Sequence, residues 1–201
     1  MDRAICSTST KLAATSALDM GDDVLIKGGY VLVKPTAVPE WLTGIPGEIL
    51  TISDCIMEDL PRPESWDWFD SAEEAEARRL ATRSNAQVLT VALRPADGRD
   101  LMNEMGGAEQ PCFSLLRRKI PFAGDVLGFE IVGAEATLDF HSWHCHGYAP
   151  EVRTALGIKL DDVGLLTSFA DAVAVLEWML ALPAEQAPSP VPWIVVALGS
   201  G

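Results

Sequence analysis

The sequence predicts an α+β fold, a single domain over residues 1–201 with a mixed sheet and a buried helix in its C-terminal half. Three observations carry this. "QVLTVAL" (87–93) and "WIVVAL" (193–198) are nearly continuous apolar runs, as strands covered on both faces require. Two segments open on serine and continue with helical composition, one after Ser71 and one after Ser168. Strands and helices follow one another without a strict βαβ rhythm, which argues against a doubly wound sheet.

Taken in order, residues 1–22 carry no periodic pattern and are expected to be weakly ordered. "DVLIKGGYVLVKP" (23–35) places two β-rich runs around Gly28-Gly29 and predicts a hairpin. "EILTISDCI" (48–56) alternates and predicts a strand with one wet face. Pro61 and Pro63 make the next stretch a loop. Ser71, with Glu74 three residues on, predicts a helix over "AEEAEARRLATRS", its acids leading and its arginines trailing as the helix dipole favours. "AQVLTVALRP" (86–95) predicts a buried strand, and "RDLMNEMGG" a short helix ended by glycine. Residues 125–148 predict two strands joined at "GAEAT". "APEVRTALG" predicts a short helix with Pro150 early and Gly157 as its stop. The helix after Ser168 runs to Pro183, with Phe169, Val173, Leu176 and Leu180 at core spacing. "WIVVALG" predicts a last, central strand.

Length and charge narrow the function classes. A 48% hydrophobic composition supports a sizeable core. No apolar run is long enough to span a bilayer, and the N-terminus lacks a basic region followed by an apolar stretch, so a cytoplasmic location is expected. The formal charge of −14 repels nucleic acid and anionic membrane and leaves neutral ligands, cations and basic proteins as partners. Cys6, Cys55, Cys112 and Cys145 form no C-x-x-C pair, so free buried thiols are expected rather than disulfides.

"DFHSWHCHGY" (139–148) holds every histidine of the chain: His141, His144 and His146, with Cys145 among them. On a straight strand His144 and His146 share one face, while His141 and Cys145 take the other. For zinc or another divalent transition metal, a bulge at Ser142 would bring His141 beside His144 and His146, with Cys145 the remaining candidate ligand. Without it, His144 and His146 form half of a site that Asp or Glu elsewhere completes. A Cys145–His pair meets the same obstacle, because sequence neighbours on a strand face apart; His141 serves only if the strand bends. The favoured reading binds no cofactor and leaves Cys145 a buried thiol. The chain carries no G-x-S-x-G elbow, no Walker lysine loop and no dinucleotide fingerprint. An enzyme would need a site assembled from distant residues.

"EDLPRPESWDWFDSAEEAEA" (58–77) sets eight acids against Arg62 alone, with Trp66, Trp68 and Phe69 interleaved. Glu64, Asp67 and Asp70 would steer a basic partner, and Trp66 and Trp68 would anchor it. The competing reading tucks the aromatics into the core and leaves the acids in water.

The stretch 128–166 resembles small bacterial immunity-type proteins of polymorphic toxin systems, through Gly128, Phe129, Glu130, Cys145, Gly147, Leu156, Gly157, Gly164 and Leu165. The resemblance implies an inhibitor that works by surface complementarity and carries over no site residue. The leading expectation is therefore a non-enzymatic acidic protein that occludes a basic partner, a cognate toxin being the concrete case. The alternative is a metal-binding protein or metalloenzyme built on the histidine cluster.

Overall fold

The computed structural model describes residues 24–45, 47–53, 55–56, 68–106, 113–135 and 140–201. β1 (Ile26–Val33), β4 (Gln87–Leu93), β5 (Asp125–Ala134), β6 (Phe140–Ser142) and β7 (Trp193–Ser200) form one sheet in the order β1-β4-β7-β5-β6. β2 (Thr36–Ala37) and β3 (Glu48–Ile49) make a separate two-residue ladder. The predicted α+β class is the observed one. All pairings between these strands are antiparallel, where a mixed sheet was expected. β4 and β5 do run the same way, but β7 inserts between them in the opposite sense and removes the parallel contact.

β4 and β7 lie inside the sheet, and Val91 and Val195 are both buried. Alternate residues of β7 feed opposite faces. Ile194, Val196 and Leu198 join the cluster with Leu101 and Leu116 of α2 (Pro95–Glu104) and α3 (Ser114–Arg118). Trp193, Val195 and Ala197 join the cluster with α4 (Ala149–Leu156) and α5 (Phe169–Leu180). Helices on both faces explain why the strand tolerates no polar alternation.

The helix signals are local and hold. α1 (Ala72–Ala81) begins at Ser71, whose hydroxyl accepts from the Glu74 N–H at 3.1 Å. α5 begins at Ser168, whose hydroxyl accepts from the Asp171 N–H at 3.0 Å. Gly157 ends α4 in the left-handed region at φ 71°. The buried stripe of α5 is Ala172, Val175 and Met179; Phe169, Val173 and Leu176 are half-buried and Leu180 is exposed, so the predicted stripe is corrected by about one residue.

Two predicted strands are corrected. Gly28-Gly29 makes no hairpin: β1 continues through them, with a register shift against β4 between Lys27 and Gly29, and neither has positive φ. Both glycines make room for the Trp68 side chain, since a Cβ on Gly29 would lie 2.4 Å from the Trp68 Cβ. Among the described residues of 48–56, only Glu48–Ile49 is strand. Thr51 to Ser53 instead cross to the end of the sheet, where Glu130 fixes them.

Candidate functional site

Glu130 stands on β5 with no exposed surface. Its carboxyl group is bonded by the Thr51 and Ser142 hydroxyls and, at 3.1 Å, by the Ile52 N–H. Burial pushes its pKa up to about 7, against the pull of those bonds. The Thr51 hydroxyl also accepts from the Ser53 N–H at 3.0 Å. This buried carboxyl group therefore ties the 51–53 segment to the core and sets where Cys55 emerges. The Ile56 N–H, bonded to the Ser53 carbonyl at 3.2 Å, closes the turn that carries Cys55.

Across from that turn the histidine segment is not one strand. β6 stops at Ser142, and Trp143–His146 form a 3-10 turn. The cause is local: the Ser142 hydroxyl accepts from the His144 N–H at 3.2 Å and caps the turn, and Gly147, at φ 72°, closes it. The expectation that His144 and His146 share a strand face is thereby overturned, and the three histidines go separate ways. His144 is fully buried, its Nε2–H donating to the Gly164 carbonyl at 2.9 Å; burial lowers its pKa to about 4. His146 stacks on Tyr148 with ring centroids 5.3 Å apart and meets the edge of Trp193. Its pKa is lowered by burial and then by nearby His141. Among the described residues, no three His, Cys, Asp or Glu side chains are arranged to hold a metal ion.

His141, on the edge strand β6, meets a thiol 86 residues away: Cys55 Sγ lies 3.1 Å from its Nδ1. On its other side, His141 Nε2 lies 2.9 Å from Glu135 Oε1, just beyond β5. A neutral His141 that donates its Nε2–H to Glu135 turns its Nδ1 lone pair to the Cys55 thiol. Cys55, expected to be buried, is exposed. Cys145, on the 3-10 turn, sits 3.3 Å from the Ser53 hydroxyl and beside Cys55. Burial raises the Cys145 thiol to about 11; the Ser53 contact opposes this and Cys55 adds to it. The cluster joins two thiols, an imidazole and a carboxylate at one end of the sheet.

Of the partner-binding residues read from the sequence, Glu64, Trp66 and Asp67 lie outside the described residues. Trp68 is corrected: it is 2% exposed and stacks on Phe140, so it is a core side chain and presents nothing to a partner. Asp70 is exposed and accepts from the Ser114 hydroxyl at 2.8 Å, which ties the start of α1 to α3. Elsewhere a cavity of about 360 Å³ lies against α4, with Trp143, Val152, Arg153 and Lys159 in its wall and none of the thiol cluster. Sequence reasoning missed Cys55, Ser53 and Glu135 because no local spacing connects them to His141. Comparison with known proteins brings no further constraint: no family model, curated protein or solved structure matches the chain.

Proposed function

We propose that the protein acts through Cys55 as a covalent nucleophile, with His141 as general base and Glu135 as the group that orients it. The relay from Cys55 Sγ to His141 Nδ1 at 3.1 Å and from His141 Nε2 to Glu135 at 2.9 Å carries the reading. Nucleophile, base and orienting carboxylate stand in the order that thiol-dependent acyl transfer and hydrolysis need. His141 takes the thiol proton, and the thiolate adds to an acyl carbon. The tetrahedral adduct then collapses: the bond to the leaving group breaks, and the leaving group departs with the proton from His141. The thioester left on Cys55 is cleaved by water or another acceptor. The net charge of −14 works against anionic substrates and favours neutral or cationic ones.

Iodoacetamide labelling at pH 7, followed by peptide mapping, tests this. Cys55 is labelled ahead of Cys145. His141→Ala slows labelling of Cys55 about tenfold or more, as loss of a general base does, and Glu135→Gln slows it less. A Cys55 rate equal to that of an unfolded thiol peptide and unchanged in His141→Ala overturns the reading.

The acidic balance supports a second reading, an inhibitor of the immunity type that covers a basic partner. Its support is the charge of −14 and the resemblance of 128–166; the carboxylates of 58–77, with Asp70 exposed at their described end, would steer the encounter. Retention on immobilised polycation that is abolished by charge reversal of Glu64 and Asp67, with Cys55→Ser retained like the natural chain, favours this reading over the first.

A further inference from the structure

We propose that Cys145 is the resolving partner of Cys55: a hydroperoxide oxidises Cys55, and the two thiols then close into a disulfide that blocks the nucleophile. The inference rests on the reading of Cys55 as the nucleophile and adds a regulation of the same site.

The geometry assigns different tasks to the two sulfurs. Cys55 is exposed and faces the base His141; Cys145 is half-buried and held by the Ser53 hydroxyl at 3.3 Å. Ser53 is two residues from Cys55 in a turn closed by its own carbonyl, so one residue positions both thiols. Cys145, raised to about 11 mainly by burial, remains a thiol at neutral pH and leaves the first attack to Cys55. In that step the Cys55 thiolate attacks the distal peroxide oxygen. The O–O bond breaks, an alkoxide leaves and is protonated to an alcohol, and Cys55 becomes a sulfenic acid. Cys145 sulfur then attacks Cys55 sulfur. The S–O bond breaks, the hydroxyl leaves with the Cys145 proton as water, and the disulfide forms. Two thiols have lost two electrons to one peroxide, and a thiol reductant returns them.

The test uses the full chain, reduced and then treated with one equivalent of hydrogen peroxide. Non-reducing peptide mapping should find Cys55 joined to Cys145, and iodoacetamide labelling of Cys55 should fall at least tenfold and return with dithiothreitol. In Cys145→Ser, dimedone should trap the sulfenic acid on Cys55, which the natural chain does not accumulate. Cys55 joined instead to Cys6 or Cys112, or a dimedone adduct on Cys55 in the natural chain without any disulfide, overturns the resolving role while leaving Cys55 as the nucleophile. Cys55 that neither reacts with peroxide nor labels faster than an unfolded thiol peptide overturns both. Mapping the natural chain decides the matter even where Cys145→Ser fails to fold.

Discussion

The indole of Trp68 lies flat on the ring of Phe140, with centroids 4.7 Å apart and planes 6° from parallel. The same indole packs against Gly28 and Gly29 of β1. Phe140 belongs to β6 and Gly28 to β1, the two edges of the five-stranded sheet. In a flat sheet four strand spacings would separate these edges by ~19 Å. One indole reaches both only because the sheet curls into a half-barrel around it.

Trp68→Ala should therefore destabilise the fold by ~3–5 kcal/mol, the range for a core aromatic cut back to alanine. Urea unfolding measures it. Gly29→Val should also destabilise, because its Cβ meets Trp68 at 2.4 Å. A loss below ~1 kcal/mol for Trp68→Ala would place the ring outside the core.

On α5 the prediction separates neighbours. Met179 is fully buried, whereas Leu180 is 56% exposed. Met179→Ala should cost ~2–5 kcal/mol, and Leu180→Ala within ~0.5 kcal/mol of nothing. Leu176, half-buried at the edge of the cluster, should fall between them. Equal losses at 179 and 180 would mean that α5 is rotated from the orientation described.

These contrasts show what was legible in the sequence. Ser71, Ser168 and Gly157 act within a few residues of themselves, so their helix ends could be read directly. β4 and β7 were legible because burial on both faces leaves an unbroken apolar run. Gly28-Gly29 misled because its reason is a tryptophan 40 residues away, which a hairpin rule cannot see. The histidine segment misled in a different way: Ser142 and Gly147 bracket a turn, but the strand pattern before them invited continuation. The Cys55–His141 contact had no local signature at all. It exists because Glu130, buried in β5, holds the 51–53 segment against the end of the sheet.

Glu130 and His144 lead to a pH prediction with two opposed parts. Glu130 binds its proton more tightly folded, at about 7, than at its ordinary 4.5. Its contribution is full below pH 4.5 and is lost as pH rises through 7. His144 binds its proton less tightly folded, at about 4 against 6.5. Its contribution is full above pH 6.5 and is lost as pH falls through 4. Each is on the order of 3 kcal/mol, and the two slopes offset each other across the overlap of their windows. Glu130→Gln keeps the shape of the neutral acid; its amide can accept from the Ile52 N–H and donate to Thr51. Relative to the natural chain it should gain stability steadily as pH rises from 4.5 to 7, then hold that gain. His144→Gln, which can still donate to the Gly164 carbonyl, should show the converse, gaining relative stability as pH falls from 6.5 to 4. Urea midpoints at pH 4, 5.5, 7 and 8 measure both differences, and subtracting the natural chain removes the other carboxylates. Parallel curves for Glu130→Gln and the natural chain would mean that Glu130 titrates in the fold as it does in the unfolded chain, and that above its ordinary 4.5 the segment carrying Cys55 is held by a buried carboxylate rather than a buried acid.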